Sequence, residues 1–152
     1  MNQPTSQSSA AAAPAPGAPL RVLLVDDDLF TLELMSAMLE GLGYTDIHTE
    51  LDSRRALQKL HQLRPGLLIC DLSMPEMDGI EFLHAAAESA YRGGVLLLSG
   101  VDSGVRKAAE RLARAQGLNM LGAFKKPLAS ADLRAALDRL ADPAPPAGAP
   151  AA

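Results

Sequence analysis

Three consecutive aspartates, Asp26, Asp27 and Asp28, follow the apolar run "LRVLLV", and a fourth, Asp71, follows "GLLIC". A hydroxyl, Ser99, closes "VLLLS", and an ammonium, Lys126, follows "MLGAFK". Two carboxylates about 4 Å apart repel by about 1 kcal/mol in water and about 4 kcal/mol at an effective dielectric near 20, so converging acids need a cation or a shared proton. Mg²⁺ suits them, because this hard ion prefers oxygen ligands and is typically held by one or two carboxylates plus a substrate phosphate. With Ser99 and Lys126 added, the group could hold a phosphoryl moiety and stabilise its oxygens during in-line transfer. Asp71, alone on its run, is the best-placed nucleophile, able to form an acyl phosphate.

These residues meet only if their runs lie side by side. "LRVLLV", "IHTEL", "GLLIC", "VLLLS" and "MLGAFK" read as strands, each followed by a longer stretch with helical spacing. The first helix follows the Asp triplet, repeats Phe30, Leu34, Met38 and Leu42, and is closed by Gly41 and Gly43. Others run over 53–63, 79–90 and 103–116, and the last carries Leu133, Leu137 and Leu140 on one stripe. Alternating strands and helices with short joins predict an α/β fold, a parallel sheet covered on both faces by right-handed crossovers. Strands one, three and four are continuous apolar runs, expected to be buried on both sides. Such sheets bind ligands beyond the carboxyl ends of their strands, where the strand order reverses. The four candidate loops share that edge.

The chain has 152 residues, 48% hydrophobic and 21% charged, which is globular composition for one domain. Residues 1–19 and 143–152 carry no Asp, Glu, Lys or Arg and are rich in Ala and Pro, so both are expected to be disordered tails or linkers, leaving 20–142 as the domain. That body carries the whole net charge of −4 without a basic stripe, which argues against direct nucleic-acid binding. The N-terminus lacks the basic start of a secretory signal and no apolar run approaches spanning length, so a cytoplasmic protein that does not enter the membrane is expected. Cys70 is the only cysteine and reads as a buried thiol.

"VLLVDDD", "ICDLSMPEMDG", "LLLSG" and "KKP", in this order and at these intervals, resemble the receiver domains of two-component response regulators over about residues 20–142. The resemblance implies a flavodoxin-like (βα)5 fold with a five-stranded sheet in the order 2-1-3-4-5. It implies that Asp71 accepts a phosphoryl group from a sensor histidine kinase, a histidine phosphotransfer protein or a small acyl phosphate. It further implies that Asp27 binds Mg²⁺ directly and Asp26 through water, with Asp71 and the backbone carbonyl of Ser73 completing the metal site. Lys126 would pair with the phosphoryl group, Ser99 would move to hydrogen-bond it, and the altered surface would recruit a protein effector. It leaves a homodimer open.

Several residues have plainer readings. Asp28 suits capping the first helix better than ligating metal, and Asp78 is placed to cap the third. Lys125 and Lys126 point to opposite sides, so only one serves the site; Pro127 selects Lys126, where the resemblance implies a cis bond. His48, His61 and His84 lack metal-ligand spacing, and Met74 and Met77 read as packing. The family usually carries Tyr or Phe three residues before the site lysine; here Ala123 stands there and Phe124 follows, which puts coupling through a rotating aromatic in doubt. Ser73 and Val101 offer no acid or amide to position an attacking water, so the phosphoryl group is expected not to be unusually short-lived. A haloacid-dehalogenase-like phosphatase with Asp26 as nucleophile, using Asp26 and Asp28 as Asp-x-Asp, is the rival reading, but it does not explain "DLSMPEMDG". "RLARAQGLNMLGAFKKPL" is similar to receivers joined to cyclic-dinucleotide phosphodiesterase domains.

Overall fold

A computed structural model describes residues 19–74, 79–100 and 103–141 of the chain. The elements alternate without exception: β1 (Arg21–Val25), α1 (Leu29–Gly41), β2 (Asp46–Glu50), α2 (Ser53–Leu63), β3 (Leu67–Asp71), α3 (Gly79–Glu88), β4 (Gly94–Ser99), α4 (Ser103–Ala115), β5 (Asn119–Lys125) and α5 (Ser130–Ala141). All strand pairs are parallel, and the sheet order is β2-β1-β3-β4-β5. The fold is the expected α/β architecture with five helices over both faces.

The apolar runs of β1, β3 and β4 form the centre of the sheet, and the two-residue period of a strand divides them between two layers. Leu23, Val25, Leu68, Cys70, Val95 and Leu97 face one layer, with Ala56, Leu60, Phe82, Leu83 and Ala109 of α2, α3 and α4. Val22, Leu24, Leu67, Ile69, Leu96 and Leu98 face the other, with Leu32, Met35 and Leu39 of α1 and Leu133, Ala136 and Leu137 of α5. Burying both faces explains why these strands show no polar alternation.

The stripe expected for α1 is corrected. Leu32, Met35 and Leu39 are its buried residues, whereas Phe30 is 70% and Leu34 41% exposed, and Met38 and Leu42 are only partly covered. Eight large apolar residues from Leu29 to Leu42 fit more than one 3.6-residue stripe. Contact with β1 selects the inner one. Asp28 fixes the helix start: its carboxylate accepts the Phe30 N–H at 3.1 Å and the Thr31 hydroxyl at 2.9 Å. Asp52 caps α2 in the same way through the Arg54 N–H at 2.8 Å.

Strand β5 covers the whole of the expected run, with one irregularity in its pairing. Its register against β4 shifts between Val95 and Leu96, so Met120 faces Val95 but Gly122 faces Leu96. Gly122 has φ +154, and a Cβ there would stand 2.7 Å from the Phe124 ring, so glycine is what this bulge accepts. Beyond it, Ala123 faces the α2–α4 layer and Phe124 the α1–α5 layer.

Gly79 opens α3 against the end of β3, its N–H donating to Leu72 O at 2.8 Å. A Cβ at Gly79 would lie 2.5 Å from Leu72 Cα and 2.9 Å from Asp71 O. Because those are backbone atoms of the strand that carries Asp71, Gly79→Ala is expected to cost about 2 kcal/mol, within the usual range for overpacking. Chemical unfolding with an unchanged m-value would measure it.

Candidate functional site

Every candidate residue lies at the carboxyl edge of the sheet, beside the point where β1 and β3 send their crossovers in opposite directions. Asp26, immediately after β1, is fully buried. Its N–H donates to Glu50 O at 3.2 Å, its Oδ1 accepts the Asp28 N–H at 2.9 Å, and its Oδ2 faces Lys126 Nζ at 2.8 Å. Asp71 ends β3, buried, with Oδ1 accepting the Ser73 N–H at 3.2 Å and Oδ2 3.3 Å from Lys126 Nζ. Asp27 is exposed, and one oxygen from each of Asp26, Asp27 and Asp71 lies within 4.8 Å of the others. Ser99 ends β4, fully buried, and its carbonyl accepts the Lys126 N–H at 2.9 Å. Lys126 precedes Pro127 through a cis peptide bond, while Lys125 is exposed.

A family model for the response regulator receiver domain matches residues 22–138. The chain belongs to this family. Receiver relatives include the chemotaxis protein CheY of Treponema pallidum, 35% identical over 96 residues that cover 60% of this chain and 67% of CheY. The transcriptional regulatory protein TrcR of Mycobacterium tuberculosis is 35% identical over 89 residues, which are 59% of this chain but 34% of TrcR. Of a protein-glutamate methylesterase/protein-glutamine glutaminase of Nocardioides sp., 38% identical over 81 residues, the chain spans 22%. Among solved structures, a response regulator from Colwellia psychrerythraea superposes with a TM-score of 0.69 at 34% identity, covering 82% of this chain and 98% of that one.

In this receiver, burial raises the pKa of both Asp26 and Asp71 against their hydrogen bonds to backbone N–H groups, and their mutual repulsion adds to the rise for Asp71. Burial works against the Lys126 ammonium, but its contacts with the two carboxylates outweigh that and hold its pKa above the ordinary value. Lys126, expected to pair with the phosphoryl group, is seated between two of the converging acids. The donor set also fits a hard divalent ion: one carboxylate oxygen from each of Asp26, Asp27 and Asp71 lies within 4.8 Å of the others, and Asp26 Oδ2 is buried with Lys126 beside it but no well-directed hydrogen bond.

Asp28 is a helix cap and its carboxylate is committed there. His48 pairs with Asp46 at 2.8 Å and His84 with Glu88 at 3.3 Å, both away from the acid cluster's ligand set. Met74 packs in the core of the α2–α4 layer. Cys70 is buried, its thiol pKa pushed far up by desolvation, as befits an inert group. Pro75, Met77, Asp78 and Val101, and nearly all of both tails, lie outside the described residues. Sequence reading passed over Glu50, a buried carboxylate at the end of β2. Its signal was there: an acid closing a strand, with Lys59 nine residues on in the following helix. Among the described residues no helix is long and apolar enough to cross a membrane.

Proposed function

We propose that this receiver takes a phosphoryl group onto Asp71 from a histidine kinase or histidine phosphotransfer protein and passes the signal to a protein effector. The observation that supports this best is the pair of contacts made by Lys126 Nζ, 2.8 Å from Asp26 and 3.3 Å from Asp71, at the sheet's switch point. An oxygen of the Asp71 carboxylate attacks the donor's phosphorus, forming an acyl phosphate as the phosphorus–nitrogen bond to the donor imidazole breaks. Lys126, already beside that carboxylate, turns its ammonium to a phosphoryl oxygen. The Ser99 hydroxyl, buried at the next strand end, donates to another. Asp26, Asp27, Asp71 and the Ser73 carbonyl would hold Mg²⁺, which when bound supplies charge neutralisation for the incoming phosphoryl group.

Because Ser99 and Lys126 would contact the phosphoryl group only in the modified state, they give the protein the differential interaction that a two-state switch needs. With Ala123 and Phe124 facing opposite layers, that switch operates without an aromatic at the usual place. Incubation with acetyl phosphate in Mg²⁺ or EDTA, followed by intact mass, tests the reading. One phosphoryl adduct in Mg²⁺ and none in EDTA is expected; equal uptake in both would sink metal dependence.

The protein donor must approach this same edge, where Phe30, in the first turn of α1, has 70% of its surface exposed. Phe30→Ala is therefore expected to slow transfer from a phosphorylated protein donor about tenfold, as for an aromatic anchor. Uptake from acetyl phosphate, which needs no such contact, should be unchanged. Paired rate measurements with the two donors check this.

A further inference from the structure

Among the described residues the buried carboxylates are Asp26, Asp71 and Glu50. The first two belong to the acid pocket; the third has no part in the chemistry proposed above. Glu50 closes β2, next to β1. Both of its oxygens are engaged: Oε1 lies 3.1 Å from Lys59 Nζ, and Oε2 accepts the N–H groups of Leu51 at 3.1 Å and Asp52 at 3.0 Å. Lys59 also donates to Thr49 O at 2.8 Å, clamping α2 onto the end of β2. The main-chain carbonyl of Glu50 accepts the Asp26 N–H at 3.2 Å.

Only Glu50 is buried in this pair, Lys59 being 37% exposed, so the ion pair by itself contributes little to stability. What the pair does is geometric. Asp26 Oδ1 is held by the Asp28 N–H within its own turn and Oδ2 by Lys126, while the Glu50 carbonyl is the contact that ties the Asp26 main chain to the end of β2. Glu50 holds that partner still by tying its own strand end to α2 and to the two residues that follow.

We infer that Glu50 is a positioning residue of the acid pocket: braced by Lys59, Leu51 and Asp52, it fixes the Asp26–Asp27 turn and so sets the pocket's affinity for a divalent cation. This rests on the reading of the pocket as an Mg²⁺ site. Removing such an outer partner commonly weakens metal binding by about tenfold or more.

Calorimetric titration with Mg²⁺, alongside thermal unfolding, would compare the wild type with Glu50→Leu, Glu50→Gln and Lys59→Met. Glu50→Leu should bind Mg²⁺ about tenfold more weakly, the low end for an outer partner. Glu50→Gln, which still accepts an N–H, should recover most of the loss, and Lys59→Met should fall between. A Glu50→Leu protein that binds Mg²⁺ like the wild type overturns the inference, whatever its melting temperature. Should Glu50→Leu fail to fold, Lys59→Met decides: weakened binding upholds the inference and wild-type binding overturns it. A wild type that binds no Mg²⁺ overturns the reading of the pocket itself, and this inference with it.

Discussion

Asp71→Asn should melt at a higher temperature than the wild type in EDTA and lose the stabilisation that Mg²⁺ gives. Asp71 and Asp26 are both buried, face one another across Lys126, and each has its pKa raised by burial. A single ammonium cannot neutralise two carboxylates. Removing one charge relieves a repulsion on the order of 1 kcal/mol or more, about 3 °C for a domain of this size. Mg²⁺ at about a hundredfold excess over its Kd should stabilise the wild type by about 2.7 kcal/mol, whereas the asparagine variant, short of an anionic ligand, should respond weakly. Thermal unfolding with EDTA and with Mg²⁺ measures both effects. A lower melting temperature in EDTA together with a full Mg²⁺ response would contradict the arrangement.

Lys126→Met should destabilise the metal-free domain and make its stability depend more steeply on pH. Breaking a buried pair by removing one partner typically costs 3–5 kcal/mol, but Lys126 is 25% exposed and water screens part of the loss, so about 2 kcal/mol is expected. A carboxyl whose folded pKa lies above its unfolded value lends stability that is fully present below the unfolded pKa and is lost as pH rises through the folded pKa. Asp26 and Asp71 are both of this kind, each raised from 3.8. The metal-free wild type should therefore gain stability from these groups as pH falls through their raised values toward 3.8. Without the ammonium both values rise further, so the variant should gain more over the same descent. Mg²⁺ needs ionised ligands and should flatten the wild-type curve. Unfolding free energies measured from neutral to acidic pH test this; parallel curves for the two proteins would show that Lys126 does not couple to the acids.

Much of this was legible because the physics is local. Val22–Val25, Leu67–Cys70 and Val95–Leu98 are apolar without alternation, which only a strand covered on both faces requires. The aspartates and serine ending those strands, and the lysine that follows β5, come onto a single edge once all strands run parallel. What failed had competing solutions. Helix α1 is apolar enough for two stripes, and the inner one is chosen by β1, which lies outside the helix's own sequence. The β5 bulge depends on pairing with β4, so nothing within "MLGAFK" besides its glycine announces it. Glu50 was passed over because its ion pair with Lys59 forms only when α2 folds back on β2.

The measurement that bears most directly on the central claim is identification of the modified residue. After incubation with acetyl phosphate and Mg²⁺, reduction with borohydride converts an aspartyl phosphate to homoserine, and peptide mass spectrometry locates it. Homoserine at position 71 in the wild type, and at no position in Asp71→Asn, is the predicted result. Homoserine at position 26, or a modification that persists in Asp71→Asn, would contradict the receiver reading and move the nucleophile to Asp26.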